Sequence, residues 1–189
     1  MNIPNIISLC RLFAVPVIVW LILVGRMETA FWVVLTAAFS DAADGTIAKK
    51  FSMETVLGSF LDPIADKAML VCMFVTLGYI GQIPTWLVIL VVFRDALILG
   101  GALLFQTLTQ SLKMTPLMVS KINTFAQLVL CLVVMAAGGF GSDSGVIREV
   151  LLYTVGITTL VSGIAYAAIW TRRAAELEDE RNRRNFCDD

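Results

Sequence analysis

Apolar residues along the chain come in long unbroken blocks and do not alternate with polar ones. Six such segments run roughly over 5–25, 30–48, 57–80, 85–107, 117–138 and 147–171. Between them stand GRME (25–28), KKFSME (49–54), GQIP (81–84), QSLKMTP (110–116) and GGFGSDSG (138–145). These Gly, Pro and polar stretches are the punctuation expected of turns. A helix crosses the hydrocarbon core of a bilayer with about 20 residues, and the segments approach or exceed that length. Continuous apolar runs predict helices, since a membrane β-barrel would need outward and inward residues to alternate. The expected architecture is an all-α integral membrane protein with six transmembrane helices over 1–171. A charged cytoplasmic tail follows over 172–189, opening RRAAELEDERNRR, and is expected to be a frayed helix. No internal repeat is visible.

Composition strengthens this picture. Of 189 residues, 58% are hydrophobic and 15% charged, and the mean hydropathy is +0.84. The net charge of −1 and the lack of a long basic patch give no reason to expect nucleic acid as a partner. The chain contains no histidine, which removes the commonest general base and any imidazole metal site. Oxygen ligands remain, and these favour hard cations. Cys10, Cys72, Cys131 and Cys187 are far apart and form no C-x-x-C pair, so they read as small hydrophobes and not as a disulfide or zinc framework. Arg11 followed by apolar Leu12–Val24 has the look of a signal peptide, but GRMETA beyond it offers no clean small-residue cleavage site. The segment is expected to be retained as a span.

Charge sets the expected orientation. With six spans, one side of the membrane collects Lys49, Lys50, Lys113, Arg172, Arg173, Arg181, Arg183 and Arg184, and the other only Arg26 and Arg148. The positive-inside rule then places both termini in the cytoplasm, or in the matrix of a mitochondrial-type inner membrane. Arg11, Lys67, Arg94 and Lys121 fall inside apolar segments, where each needs an anion.

The sharpest anomaly is SDAADGTIAKKFSMETVLGSFLDPIADK, Ser40 to Lys67, with Asp41, Asp44, Asp62 and Asp66 set in apolar surroundings. Asp41 lies eight residues before Lys49, and Asp62 eight residues after Glu54. At about 1.5 Å per helical residue, both sit roughly 12 Å below the turn between their helices. Two helices leaving so short a turn are expected to be antiparallel neighbours. Asp41 and Asp44 are i, i+3, and Asp62 and Asp66 are i, i+4, so each pair shares a helix face. Gly45 and Ala48 share the first face and Gly58 the second, which permits close approach of backbones or of a ligand. Asp44 is expected slightly shallower and Asp66 somewhat deeper, and four carboxylates so close repel strongly in a low dielectric. Two divalent cations would balance them, and Mg²⁺ (or Mn²⁺) suits carboxylates combined with phosphate oxygens. A lone intramembrane Asp usually serves helix–helix hydrogen bonding. A cation or proton transport pathway also uses such acids, and it stands as the rival from another functional class.

The residues of this stretch resemble the signature of the CDP-alcohol phosphatidyltransferase family, D-x2-D-G-x2-A-R-x8-G-x3-D-x3-D. Asp41, Asp44, Gly45, Ala48, Gly58, Asp62 and Asp66 match at every spacing, and Lys49 stands where the family usually has Arg. Lysine keeps the charge but loses the bidentate fork. The similarity extends to IPNIISLCR at the first span and covers most of 2–170. It implies a six-helix homodimer that holds CDP-diacylglycerol at the cytoplasmic face. It further implies Asp41, Asp44 and Asp62 as metal ligands, with Asp66 completing the cluster and serving as general base toward an alcohol. Gly45 and Ala48 would leave room for the cytidine nucleotide, Gly58 would support the close approach, and Lys49 would sit near the diphosphate. The implied reaction transfers a phosphatidyl group to the alcohol and releases CMP.

The acceptor is read from farther along. Arg11, Arg94 and Lys121 are candidate contacts for an acceptor phosphate; the plainer reading of Arg94 is a pair with a site aspartate or with Asp95. IPTWLVILVVFRDALILGG and PLMVSKINTFAQLVL resemble the eukaryotic-type, CMP-forming cardiolipin synthases within the family, which use phosphatidylglycerol. Phosphatidylglycerophosphate synthases, which use glycerol 3-phosphate, usually carry Arg-Glu and Lys-x-Lys-Thr at these places. Here stand Arg94-Asp95 and Lys121-Ile122-Asn123-Thr124. One fewer cation, at Asn123, fits an acceptor with a singly charged diester.

Overall fold

Two of the breaks end their helices by the same device. Gly25 and Gly81 have positive φ, 78° and 76°, a region that glycine enters without a Cβ clash. At the first, Gly25 N–H donates to the Ile22 carbonyl and Arg26 N–H to that of Leu21, at 3.1 and 2.9 Å. At the second, Gly81 N–H donates to Gly78 and Gln82 N–H to Leu77, at 3.0 and 2.8 Å. These are paired Schellman caps, which satisfy last-turn carbonyls that would otherwise need water.

The computed structural model of the chain describes the backbone of residues 3–51, 56–109, 118–141 and 145–187, and the side chains of 10–40, 67–101, 118, 120–141 and 145–172. Every element among them is an α-helix: α1 (Ile3–Leu23), α2 (Met27–Phe51), α3 (Val56–Tyr79), α4 (Thr85–Thr109), α5 (Met118–Phe140) and α6 (Gly145–Cys187). The six apolar segments thus become six helices. Ser120–Phe140 and Gly145–Arg172 are long and apolar enough to cross a membrane among the described residues, with shorter apolar helical stretches at Cys10–Leu23, Met27–Ser40 and Lys67–Tyr79. α6 passes residue 172 without a break. The boundary read there is a change of composition and not of backbone, because Ala, Glu, Leu and Arg continue a helix well.

One expectation about packing is corrected. Among the described residues α2 and α3 do not pack on each other; α1 and α5 each pack on both. A short connection brings the ends of two helices together, but it does not force them into contact along their length. The result is a closed ring, α1–α2–α5–α3. A second ring, α3–α4–α6–α5, shares its α3–α5 edge with the first. Ile18, Ile22, Val34, Phe74, Leu77, Leu130 and Met135 are buried in the continuous core. Small residues let helices close up. A Cβ on Gly139 of α5 would lie 2.6 Å from the backbone nitrogen of Glu28 of α2, and one on Gly101 of α4 2.5 Å from the Trp170 ring of α6.

The outside is apolar as well. Phe13, Trp20, Phe39, Phe93, Phe125, Ile157 and Ile164 are all more than half exposed. A bundle that is greasy both within and around its rim matches lipid surroundings and not water. At the end bearing the Gly81 turn, the Arg148 guanidinium of α6 donates to the Gln82 carbonyl. This joins two of the polar breaks predicted to share one membrane face.

Candidate active site

The first ring borders an open cavity of about 350 Å³. All four of its helices contribute to the lining: Arg11 from α1, Ala37 and Ala38 from α2, Met69 and Leu70 from α3, and Ser120, Lys121, Thr124, Phe125 and Leu128 from α5. The space exists because α2 and α3 face each other across it instead of packing together. Ala37 lies one turn before Asp41, and Leu70 one turn after Asp66, or about 6 Å along each axis. Two of the three cations singled out as phosphate contacts, Arg11 and Lys121, therefore meet at one cavity. Arg11 is buried and Lys121 exposed.

α2 is helical through Asp41, Asp44, Gly45, Ala48 and Lys49, and α3 through Gly58, Asp62 and Asp66. The i, i+3 and i, i+4 relationships that put each acid pair on one face thus hold in the backbone. The side chains of these eight residues lie outside the described ones. Among the described residues no three His, Cys, Asp or Glu side chains group as a metal site. The donor set expected on α2 and α3 is all carboxylate oxygen, which fits Mg²⁺ or Mn²⁺ by its chemistry.

Arg94 is the third cation. It is 2% exposed and lies in the second ring. Its Nη1 donates to Asp95 Oδ1 at 2.6 Å, its Nη2 to Ser120 Oγ at 2.6 Å and to Ser162 Oγ at 2.8 Å. Lys67 Nζ donates to the same Asp95 Oδ1 at 2.8 Å. Of the two readings of Arg94, the structure gives it the Asp95 pair. Among the described residues it reaches the cavity through Ser120, which lines that space and accepts from the guanidinium. One cluster therefore gathers Lys67 of α3, Arg94 and Asp95 of α4, Ser120 of α5 and Ser162 of α6.

Asn123 needs a correction. It is fully buried and does not line the cavity. Its Oδ1 accepts from Thr158 Oγ1 at 2.8 Å and Thr159 Oγ1 at 2.9 Å, so it faces α6. Position 123 therefore adjusts the α5–α6 seam and not the charge of the cavity, and the charge-count argument for the acceptor loses its premise. Sequence reasoning left Lys67 unassigned and passed over Ser120 and Ser162. The available signal was an imbalance: Lys67 and Asp95 are a cation and an anion within apolar segments, 28 residues apart, each in need of a partner.

Comparison with known proteins fits this geometry. Residues 1–170 match the family model of the CDP-alcohol phosphatidyltransferases, and the chain belongs to that family. It is 35% identical to a CDP-diacylglycerol–glycerol-3-phosphate 3-phosphatidyltransferase of Cereibacter sphaeroides, over 78% of this chain and 69% of that one. It is 32% identical to the chloroplastic enzyme of the same name (number 1) from Oryza sativa, over 92% of this chain and 59% of that one. It is 29% identical to the CMP-forming cardiolipin synthase of Homo sapiens, over 87% of this chain and 60% of that one. The chain thus spans about three fifths of the length of the rice and human relatives. The family is membrane-bound. Its relatives are named for both acceptors, so similarity alone does not choose between them.

Proposed function

We propose that the protein transfers a phosphatidyl group from CDP-diacylglycerol to an alcohol acceptor and releases CMP. The carrying observation is the cavity between α2 and α3, lined by Arg11 and Lys121, one helical turn from the positions of Asp41 and Asp66 and about two turns from those of Asp44 and Asp62. Cations on two of its walls, α1 and α5, and acid-bearing helices as the other two suit a reaction in which two phosphate-bearing groups meet. Asp41, Asp44, Asp62 and Asp66 would hold two divalent cations, Mg²⁺ or Mn²⁺. When bound, these supply positive charge to the diphosphate and to the leaving CMP. Asp66 accepts the proton of the acceptor hydroxyl. Gly45, Ala48 and Gly58 leave space for the cytidine nucleotide, and Lys49 places a charge beside its diphosphate. Arg11 and Lys121 hold the acceptor phosphate, and Arg94 backs them through Ser120.

In this reading six helices span the membrane, both termini face the cytoplasm or matrix, and the protein is a homodimer. The acceptor is phosphatidylglycerol, making the protein a cardiolipin synthase. The Arg94-Asp95 and Ser120-Lys121-Ile122-Asn123-Thr124 sequences support that choice. Glycerol 3-phosphate is the alternative, favoured by the name of the 35% identical relative. Purified protein is given CDP-diacylglycerol, Mg²⁺ and one acceptor at a time. CMP release with phosphatidylglycerol is expected. Release with glycerol 3-phosphate alone overturns the acceptor, and cation flux in proteoliposomes without any nucleotide lipid, together with no release for any alcohol, overturns the whole reading in favour of transport.

A further inference from the structure

The second ring carries a charge cluster at the edge it shares with the first. Its centre is a single oxygen, Asp95 Oδ1, which accepts from Lys67 Nζ at 2.8 Å and from Arg94 Nη1 at 2.6 Å. From that oxygen one arm runs to α3, where Lys67 is the residue after Asp66. The other arm runs through Arg94 Nη2 to Ser120 Oγ of α5, beside Lys121 on the cavity wall. α3 and α5 are the two helices common to both rings. Rotating or sliding either one would have to break a charged hydrogen bond inside the bundle.

The cluster is poorly suited to a purely stabilising task. Arg94 and Asp95 are each 2% exposed, and Asp95 Oδ2 is buried without a hydrogen-bond donor among the described residues. Buried ion pairs are frequently matched in stability by apolar residues of similar volume, and their best-attested use is to fix register. A guanidinium is donor-only, so Ser120 Oγ must accept from Arg94. The serine proton is then free to turn toward the cavity it lines.

We propose that Asp95 is a positioning residue that sets the acid-bearing helix α3 and the cavity wall on α5 in register. Lys67 serves the metal-binding half, Ser120 the acceptor half, and Asp95 serves both. The inference rests on the proposed phosphatidyl transfer, and its test separates the two.

Initial rates of CMP release are measured against Mg²⁺ and against acceptor. Losing one charged hydrogen bond corresponds to about tenfold in an equilibrium constant. Lys67→Met should therefore raise the Mg²⁺ concentration for half-maximal rate about tenfold and leave acceptor KM within about twofold. Ser120→Ala should do the reverse, and Asp95→Asn should raise both. Lys67→Arg should restore most of the metal response. Lys67→Met combined with Asp95→Asn should be no worse in metal response than the worse single variant, because both remove one link.

A second measurement does not need activity. Spin labels at exposed Val75 of α3 and Phe125 of α5, in a chain with its native cysteines replaced, report the α3–α5 distance distribution. Asp95→Asn and Lys67→Met should broaden it. An unbroadened distribution, additive effects, or metal and acceptor responses that move equally in all three single variants overturn the positioning role. Broadening in both variants, with a wild-type protein that releases no CMP for any acceptor, overturns the transfer reading and leaves the register assignment standing.

Discussion

Arg11 of α1 and Lys121 of α5 are 110 positions apart in sequence and line one cavity, although their helices do not pack on each other among the described residues. Their charges meet across that space. Replacing either with Met removes a charge from the cavity and retains an apolar stem. Each variant should raise acceptor KM about tenfold or more, the worth of a charge-assisted hydrogen bond. The KM for CDP-diacylglycerol should change little. Steady-state kinetics with both lipids in mixed micelles checks the split.

Metal dependence gives the second prediction. Chelation with EDTA should stop CMP release, and added Mg²⁺ should restore it. Asp66→Asn should lower kcat at least about 10²-fold, the usual contribution of a positioned base, with the melting profile retained. Near-normal turnover in that variant would remove Asp66 as the base.

Gly139 and Gly100 form a contrasting pair. A methyl at 139 would meet the Glu28 backbone at 2.6 and 2.8 Å, and backbone has little room to yield, whereas one at 100 meets nothing within 4 Å. Gly139→Ala should destabilise by about 1–3 kcal/mol as an overpacking change. Gly100→Ala should be neutral or stabilising by up to about 1 kcal/mol through helix propensity. Thermal unfolding in detergent, followed by circular dichroism, measures both.

Truncating Arg94 isolates the buried charge. Arg94→Met leaves Asp95 with Lys67 alone, and breaking a buried pair from one side typically costs about 3–5 kcal/mol. Arg94→Met combined with Asp95→Leu should recover most of that loss. Lys67, 18% exposed, can carry its ammonium outward on its flexible stem. Denaturant titration of the three proteins in micelles provides the comparison.

Ile157 tests the lipid-facing reading of α6. It is 63% exposed and lies near the middle of the apolar stretch Gly145–Arg172. Ile157→Arg should make insertion of this span less favourable by about 3 kcal/mol. A glycosylation-mapping insertion assay reads that change directly.

The helices were legible because the apolar runs are long and their breaks contain the Gly residues that cap α1 and α3. The ring arrangement was not. In lipid the rim is as apolar as the core, so hydropathy does not say which helix a given face meets; Phe93 and Phe74 read alike, yet one is 68% exposed and the other fully buried. Carboxylates in apolar surroundings announced the acid-bearing stretch on their own. Hydroxyl residues announced little. Thr36, Thr154 and Thr171 bond carbonyls of their own helices, the common fate of such side chains, whereas Ser120 and Ser162 receive an arginine from α4. Nothing local separates the two cases. Asn123 misled for a related reason: its neighbour Lys121 lines the cavity, but two residues along a helix is about 200° around it.

α1 and α5 act as gauge blocks. Both pack on α2 and on α3, so the breadth of the gap between those helices depends on side-chain bulk at buried positions of α1 and α5, among which are Ile18 and Leu130, outside the acid-bearing stretch. A change of one methylene there can widen or narrow the room offered to an acceptor without disturbing a single carboxylate. Substrate size and reaction chemistry are therefore adjustable on separate helices.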